Sequence, residues 1–341
     1  MFQILLMIFL IVSSYFLLNI FIKFSSKISL IDKKNLHYSH QPTPTGSGII
    51  FLILFIFAFV INFFFNENFI LILPNKYYLL LLSLFFLSII SFLDDFRSID
   101  PMFRLIAQIF FVYLSITSFP LSTILLPQKF VFLVVVILWI YLINIHNFID
   151  GTDGFLTVNS IFFFFNFLLI NYELKLFSFS YYIAITVLPI MCVFLIFNKP
   201  KARIYMGDAG SIFLGFLIGY IVLDLAIKGY WILSMALVIY PILDCSIALV
   251  KKTFKGYMPW KGMYDYFFLI PALRNKANHL NILIIILLLN IFNSSTIFWI
   301  LKTGDNYKIL INITITLITI LIFKYVKIEK YFTKLRQMFN L

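Results

Sequence analysis

Long apolar runs separated by short polar segments make up most of this 341-residue chain. A helix needs about 20 consecutive apolar residues to cross a bilayer. Eleven runs of about that length lie near 2–22, 47–65, 77–93, 104–122, 129–146, 155–170, 180–197, 210–227, 230–250, 282–301 and 308–326. The pattern predicts an all-α integral membrane protein with about eleven transmembrane helices, and one polytopic domain over 1–341.

The composition excludes the soluble and the disordered classes. Hydrophobic residues make up 62% of the chain and charged residues only 12%, whereas soluble domains carry about 25% charged residues. Disordered chains are also rich in charge and poor in aromatic residues, and this chain has 44 Phe. Cys192 and Cys245 lie in or beside apolar runs and are predicted to be small hydrophobic residues.

The distribution of Lys and Arg predicts the orientation. On the eleven-span pattern, 20 of the 26 basic residues fall on one set of alternate loops, and such loops are cytoplasmic. The N-terminus is then outside and the C-terminus cytoplasmic. The cytoplasmic loops are predicted at about 23–46, 94–103, 144–154, 198–210 and 251–281. The net charge of +12 is spread over these loops, which favours membrane lipids as partners and not nucleic acid.

Acidic residues gather on the same predicted side. Ten of the fourteen belong to it: Asp32, Asp94, Asp95, Asp100, Asp150, Asp153, Asp208, Asp244, Asp265 and Glu329. The orientation rule concerns Lys and Arg only, so it does not account for them. Their concentration at cytoplasmic helix ends indicates a functional site.

Two segments carry paired carboxylates. Asp94 and Asp95 end the third span, and Pro101 opens the next helix, as Pro favours the first helical turn. They are either a solvated helix end or a functional pair that binds Mg²⁺, which prefers oxygen ligands, or takes a proton. The segment NIHNFIDGTDG at 144–154 interrupts two apolar runs with polar groups. Such groups are costly at membrane depth unless their hydrogen bonds are satisfied, so their presence indicates a function. A loop of turn-forming residues is the alternative.

A third segment, 197–211, combines cations with a glycine turn. Lys201 and Arg203 suit phosphate, and Asp208 and Ser211 lie in a Gly-Asp-Ala-Gly-Ser turn that opens the eighth span. A helix N-terminus attracts phosphate through its free N–H groups, and Asp208 is a candidate metal ligand. An ordinary capped helix start is the alternative.

Two further loops offer polar groups. The long loop holds Trp260 and Tyr264, which suit a stacked ring, and Arg274 and His279 near its end; it suits a headgroup-anchoring stretch equally well. The loop at 32–48 is rich in turn residues and offers Thr43 for contact with substrate, or is a linker. Together, the five segments predict a Mg²⁺-dependent reaction of phosphates at the inner membrane surface.

Four segments resemble motifs of the polyprenyl-phosphate N-acetylhexosamine-1-phosphate transferases, glycosyltransferase family 4. They are HQPTPTGSG at 40–48, LDD at 93–95, NIHNFIDGTDG at 144–154 and RIYMGDAGS at 203–211. The first is most similar to the O-antigen-initiating branch. The resemblance implies ten or eleven transmembrane helices and transfer of an N-acetylated sugar-1-phosphate from a UDP-sugar to undecaprenyl phosphate. UMP is released, and the first lipid-linked intermediate of a surface polysaccharide such as O-antigen forms.

The motifs and the resemblance together give the expected site residues. The expected catalytic residues are Asp94, Asp95, Asp150 and Asp153. The expected substrate-binding residues are Asn144, Asn147, Arg203, Lys201, Ser211, Thr43, His279 and Arg274. Mg²⁺, or Mn²⁺ in its place, is expected at Asp208 and Asp95. The long loop departs from the family, because GMYDYFFL at 262–269 stands where many relatives carry a His-rich run.

A transporter or flippase of nucleotide sugars or lipid-linked sugars is the rival hypothesis. It predicts broken helices and polar groups at the bilayer midplane, with internal repeats; the sequence contains no recognisable repeat, and its polar segments lie at predicted helix ends. The expected location is the bacterial cytoplasmic (inner) membrane, with the active site on the cytoplasmic side. The sequence leaves open whether the chain forms a homodimer.

Overall fold

A computed structural model of the chain describes residues 1–25, 30–32, 43–72, 76–119, 127–256, 266–275, 278–328, 330, 331 and 333. Within these residues the chain is a bundle of helices with one short β-ladder. The ladder pairs β1 (Ile31–Asp32) with β2 (Thr43–Pro44) in antiparallel register.

Ten of the helices in the described residues are long and apolar enough to cross a membrane. The α-helices of the described residues, including the short ones, are α1 (Phe2–Ser25), α2 (Gly48–Phe65), α3 (Glu67–Ile72), α4 (Lys76–Phe96), α5 (Pro101–Ser115), α6 (Gln128–Phe148), α7 (Phe155–Leu174), α8 (Phe179–Asn198), α9 (Gly207–Ile227), α10 (Trp231–Leu237), α11 (Ile239–Phe254), α12 (Ile270–Asn275), α13 (His279–Thr303) and α14 (Ile309–Tyr325). The protein is therefore a multi-pass membrane protein, as the apolar runs predict.

The ninth predicted span, near 230–250, is broken into two helices. α10 and α11 meet at Val238 and are bent by 72° relative to each other. Pro241 lies just inside α11, where it has no N–H to donate to the carbonyl of Leu237. The pair makes an eleventh span when it is counted as one, which confirms the predicted number of about eleven.

Helix α9 lies at the centre of the bundle, and 89% of its membrane-spanning stretch is buried. Small residues let its neighbours approach closely, as is usual between membrane helices. A Cβ atom on Gly219 would lie 2.5 Å from Cδ1 of Trp139 on α6. The indole N–H of Trp139 donates to the carbonyl of Phe216, at 2.9 Å, so α6 and α9 are also joined by a hydrogen bond.

The N-termini of α2 and α9 meet. The backbone N–H of Gly48 donates to the carbonyl of Met206 at 2.9 Å. A Cβ on Gly48 would lie 2.0 Å from the backbone nitrogen of Gly210, so only glycine permits this contact. The polar segment before α2 is thereby held against the start of α9.

The two ends of the bundle differ in their polar residues. We call the end that carries Asp94, Asp95 and Asp208 the acidic end. The opposite, far end carries Asp224, whose carboxylate accepts hydrogen bonds from Ser180 at 2.6 Å and Lys228 at 2.7 Å. Helix α9 runs from the acidic end to the far end. That the acidic end is cytoplasmic stays a prediction.

Candidate active site

Asp95, one residue before the end of α4, caps the N-terminus of α9. Its carboxylate accepts hydrogen bonds from the backbone N–H groups of Asp208, at 2.9 Å, and Ala209, at 3.1 Å. The first N–H groups of a helix have no partner within the helix, and a negative charge at this position is favourable. Residues 113 positions apart in the sequence are joined in this way.

Glycine at position 207 makes this close approach feasible. Gly207 has a φ of +70°, a conformation that is unfavourable for residues with a Cβ atom. A Cβ there would lie 2.5 Å from Oδ2 of Asp95 and 2.7 Å from the backbone nitrogen of Gly46. The glycine of the RIYMGDAGS motif therefore brings three segments together.

Arg104 joins the two remaining carboxylates. Its Nη1 atom donates to Oδ2 of Asp94 and to Oδ2 of Asp208, both at 2.6 Å. Asp94 also accepts a hydrogen bond from the backbone N–H of Ile99. We call Asp94, Asp95, Arg104 and Asp208 the acidic cluster; it joins the ends of α4, α5 and α9.

Amide and hydroxyl groups adjoin the acidic cluster. Asn144 donates from Nδ2 to Oε1 of Gln108, at 2.7 Å, and Gln108 follows Arg104 by one turn on α5. The hydroxyl of Ser211 donates to Oδ1 of Asn147, at 3.2 Å. Of the expected substrate-binding residues, Ser211 thus lies on α9, which contributes to the cluster, and Asn144 and Asn147 lie on the neighbouring helix α6.

Asp153 forms a second cluster. Its carboxylate accepts hydrogen bonds from the backbone N–H groups of Lys201, at 3.0 Å, and Ala202, at 3.2 Å, and from the hydroxyl of Tyr205, at 3.3 Å. Nδ1 of His279 lies 3.4 Å from its Oδ2. Burial raises the pKa of Asp153, but His279 and the two backbone amides outweigh burial and hold the pKa below its ordinary value.

The segment 198–205, which lies between the two clusters, is held by hydrogen bonds at both ends. Oδ1 of Asn198 accepts from the N–H of Gly154, at 3.1 Å, and its Nδ2 donates to the carbonyl of Ile204, at 3.0 Å. The N–H of Tyr205 donates to the carbonyl of Pro44, at 2.7 Å, and its carbonyl accepts from the Ser47 hydroxyl, at 2.9 Å. The turn at 149–154 and the start of α9 therefore share one rigid connection.

Lys201 and Arg203 contribute to this connection in different ways. Lys201 has a φ of +68°, although this conformation costs a non-glycine residue about 1–2 kcal/mol. The hydrogen bond from its N–H to Asp153 helps to hold it there. Both side chains are exposed, and the guanidinium of Arg203 lies 5.4 Å from the centre of the Phe197 ring. The exposed cations are available to an anionic ligand.

Other expected residues lie at the edges of the site or outside the described residues. Thr43 is buried and pairs with Asp32 in the β-ladder. Asp150 lies on the turn between Asn147 and Asp153 and is partly buried. The side chain of Arg274 and residues 33–42 and 257–265 lie outside the described part of the chain, as do Trp260 and Tyr264.

The acidic cluster suits a divalent cation better at Asp94 and Asp208 than at Asp95. Both oxygens of Asp95 accept backbone N–H groups, whereas Asp94 and Asp208 each direct one oxygen at the same cationic nitrogen. No three His, Cys, Asp or Glu side chains come together as a metal site in the described residues. Mg²⁺ fits this donor set, because it commonly takes one or two carboxylates and completes its shell with water and phosphate oxygens.

Three residues of the site were not anticipated from the sequence. From the sequence, Arg104 contributed only a charge to the predicted orientation, Gln108 lay in an apolar run, and Asn198 lay in the polar segment 197–211 without an assigned role. A signal existed for Arg104, since charged residues of membrane helices commonly pair with one another, and Asp94 and Asp95 precede it by only ten and nine residues. Gln108 lies four residues later and therefore on the same helix face.

A family model described as glycosyl transferase family 4 matches residues 77–226, which run from α4 to α9. The matched region contains all four residues of the acidic cluster, and Asp153. This central part of the chain is similar to glycosyl transferase family 4. The match confirms the resemblance that the sequence motifs indicate, and three of the four motifs, at 93–95, 144–154 and 203–211, lie inside it.

Similar proteins carry the name phospho-N-acetylmuramoyl-pentapeptide-transferase. The one from Staphylococcus carnosus (strain TM300) is 28% identical over 202 residues, which cover 52% of this chain and 61% of that protein. The one from Streptococcus sanguinis (strain SK36) is 27% identical over 238 residues, which cover 64% and 70%. A shorter match, to the protein of Leuconostoc citreum (strain KM20), is 40% identical over 88 residues and covers 24% of this chain. These names do not support the expected O-antigen branch.

Proposed function

We propose that the protein transfers a sugar-1-phosphate, with an N-acetylated sugar, from a UDP-sugar to undecaprenyl phosphate and releases UMP. The product is the first lipid-linked intermediate of a cell-envelope polysaccharide. The single observation that carries this proposal is the meeting of Asp94 and Asp208 at one cationic nitrogen of Arg104, inside the region that matches the family. The names of the similar proteins support a phospho-sugar transferase.

Mg²⁺, with Mn²⁺ as a substitute, is the proposed cofactor, and Asp208 and Asp94 are its proposed ligands. When bound, it would neutralise negative charge on the diphosphate and on the departing UMP. Asp95 would act by holding the backbone of Asp208 and Ala209, and so by fixing the direction of the Asp208 side chain. This assigns to Asp95 a positioning role in place of the expected metal contact.

The reaction requires two anions to meet. A phosphate oxygen of the lipid attacks the β-phosphorus of the UDP-sugar, a new P–O bond forms, and the bond from that phosphorus to UMP breaks. The second pKa of a phosphate monoester is about 6, so the attacking group is largely ionised at neutral pH. A general base therefore contributes little, and the main task is to position the two phosphates against their repulsion.

The residues of the chain fit this task. Arg104 lies between the carboxylates and can offer its remaining guanidinium N–H groups to a phosphate. Lys201 and Arg203 have exposed cationic side chains beside the turn that carries Asp150 and Asp153. Asn144, Asn147 and Ser211 supply uncharged polar groups from α6 and α9. The apolar outer surfaces of the helices would seat the prenyl chain.

UMP release by the purified protein in detergent tests the proposal. Undecaprenyl phosphate is supplied with a panel of donors that includes UDP-GlcNAc, UDP-GalNAc and UDP-N-acetylmuramoyl-pentapeptide, with Mg²⁺ or with EDTA. We expect UMP from one donor, only with the lipid and only with the metal. A preference for the pentapeptide donor would replace the O-antigen branch by the one that the similar proteins' names indicate.

The same assay separates the proposal from its rival. A transporter or flippase would move a nucleotide sugar or lipid-linked sugar across proteoliposomes without forming UMP. Transport without UMP formation from any donor would contradict the proposed transfer. The proposed location is the bacterial inner membrane with the acidic end at the cytoplasm, where UDP-sugars are made; selective labelling of a cysteine introduced at Arg97, in intact and lysed cells, tests this orientation.

A further inference from the structure

Asp244 accepts hydrogen bonds from backbone N–H groups in the same way as two aspartates of the candidate active site. Asp95 and Asp153 each accept hydrogen bonds from two consecutive backbone N–H groups. Asp244, on α11, is fully buried and accepts from the N–H groups of Phe267, at 2.9 Å, and Phe268, at 3.2 Å. A third hydrogen bond comes from the hydroxyl of Tyr240, at 2.7 Å.

The backbone that Asp244 holds is the segment 266–269, where the chain returns from the long loop. None of its four residues is more than 4% exposed, so the segment is part of the protein interior. Desolvating a carboxylate is costly unless hydrogen bonds compensate. The three hydrogen bonds at Asp244 supply this compensation, and the two from Phe267 and Phe268 form only when the segment lies in this position.

Segment 266–269 supports the turn that carries Asp150 and Asp153. The rings of Tyr266 and Phe148 stack with their centres 5.8 Å apart, and those of Phe268 and Phe155 with their centres 4.3 Å apart. Phe148 and Phe155 flank the turn on both sides. A Cβ on Gly151 would lie 3.0 Å from the side chain of Leu269, so the turn itself rests on the segment.

We propose that Asp244 is a positioning residue for the candidate active site. It fixes segment 266–269, and the segment fixes the turn at 149–154, so that Asp153 meets the N–H groups of Lys201 and Ala202. The effect on catalysis rests on the proposed function, whereas the effect on the turn does not. Asp244 thereby couples the bent helix and the end of the long loop to the turn at 149–154. This turn, with the exposed cations Lys201 and Arg203 beside it, is the part of the site that we assign to the UDP-sugar and call the donor side.

The first test compares hydrogen–deuterium exchange of the full-length wild type, Asp244→Asn and Asp244→Ala. The peptides to follow cover 266–270, 149–156 and, as an internal reference, 207–212. We expect exchange at 266–270 and at 149–156 to accelerate about tenfold or more in Asp244→Ala, and less in Asp244→Asn, which keeps one acceptor oxygen. The reference peptide should not change.

Asp224→Asn is the matched control. Asp224 is also a buried aspartate within a membrane helix, with hydrogen bonds from Ser180 and Lys228, but it lies at the far end. Its replacement should leave exchange at both 266–270 and 149–156 unchanged. If it accelerates exchange at these peptides as much as Asp244→Asn does, the effect is general loosening, and the proposal is overturned.

Phe268→Leu keeps the proposal testable if the Asp244 variants do not fold. It removes the ring that stacks on Phe155 but retains the backbone N–H that Asp244 binds. We expect faster exchange at 149–156 with protection of 266–270 largely kept. Unchanged exchange at 149–156 in this variant, or in a folded Asp244→Ala, would show that the segment does not support the turn.

Kinetics give the functional arm of the test. In Asp244→Asn we expect the KM for the UDP-sugar to rise about tenfold, while the KM for undecaprenyl phosphate stays near the wild-type value. Equal changes in both would contradict a role on the donor side. If the wild type releases no UMP, the proposed function fails, and the exchange experiment still decides whether Asp244 positions the turn.

Discussion

Each end of helix α9 places carboxylate and cationic side chains together, but the number of carboxylates for each cation differs. At the far end, Lys228 lies 2.7 Å from Asp224, its neighbour one turn earlier on the same helix. At the acidic end, one nitrogen of Arg104 serves both Asp94 and Asp208, while backbone N–H groups hold Asp95. The far end thus holds one ion pair between residues close in the sequence, whereas the acidic end brings together three carboxylates from two helices that are far apart in the sequence.

This difference separates a structural ion pair from a site. A carboxylate with its own ammonium group needs no further partner, and such a pair contributes modestly to stability. Carboxylates brought together repel each other and favour an additional cation or a proton. Groups arranged in this way are typical of functional sites. The far end of the same helix therefore supplies internal controls for each residue of the acidic end.

The largest loss of activity is expected from replacing Asp208, with Asp224 at the far end as the control. Asp208→Asn should lower UMP release on the order of 10³-fold, because it removes a proposed ligand of the ion that neutralises the diphosphate. Asp224→Asn should change the activity by less than about threefold, although it lowers the melting temperature. Assays of both purified variants check this, and an equal loss in the two would remove the distinction between the ends.

The second-largest effect is expected from the glycines near the two ends of α9, whose replacement by alanine should destabilise the protein to different extents. Gly207→Ala places a Cβ 2.5 Å from Asp95 at a φ of +70° and should destabilise the protein by about 3 kcal/mol. Gly229 has a φ of +92° and no described atom within 4 Å of such a Cβ, so Gly229→Ala should cost only about 1 kcal/mol. Thermal unfolding in detergent measures both. Similar melting temperatures would show that the contact at Gly207 tolerates a methyl group.

The cations provide a sharper test of the acidic cluster. Arg104→Gln leaves Asp94 and Asp208 facing each other and should lower the activity about 10²-fold. Arg104→Lys should recover about a tenth of the wild-type activity, since both observed contacts use a single nitrogen. Lys228→Gln serves as the far-end control and should retain the wild-type rate. Loss of activity in Arg104→Lys equal to that in Arg104→Gln would point to the planar guanidinium as essential.

The smallest effect is expected from the serines. Ser211→Ala removes a 3.2 Å hydrogen bond to Asn147 and should cost about 1 kcal/mol, with a severalfold rise in the KM for the donor. Ser180→Ala removes a 2.6 Å hydrogen bond to Asp224 and should affect stability alone. Paired measurements of KM and melting temperature test this, and a donor KM that is unchanged in Ser211→Ala would exclude Asn147 from donor binding.

Most of the fold could be predicted because membrane spans are encoded locally. The start of α5 at Pro101 and that of α9 at Gly207 follow from Pro and Gly preferences at helix ends. The bend at Val238 was not predicted, since the run near 230–250 has the length and overall hydropathy of one continuous span. Whether a proline so near a helix start bends the chain depends on the surrounding packing, which a hydropathy pattern does not contain.

The site was predicted in its residues but less well in their roles. The motifs indicated Asp94, Asp95 and Asp208, which lie together, and Asn147 and Ser211, which form a hydrogen bond. They could not show that Asp95 and Asp153 hold backbone, because the partners of a carboxylate are set by folding over long sequence separations. Arg104 belongs to none of the four sequence motifs, and only its position between the carboxylates of Asp94 and Asp208 in the folded chain reveals its importance.

The bend between α10 and α11 has a topological consequence. Trp231 follows α9 at the far end, and the next long helix begins with His279 beside Asp153 at the acidic end. The broken pair therefore still completes one full traverse, and the number of traverses within the described residues is odd. We expect reporter fusions at the two chain termini to register opposite compartments, whichever compartment faces the acidic end.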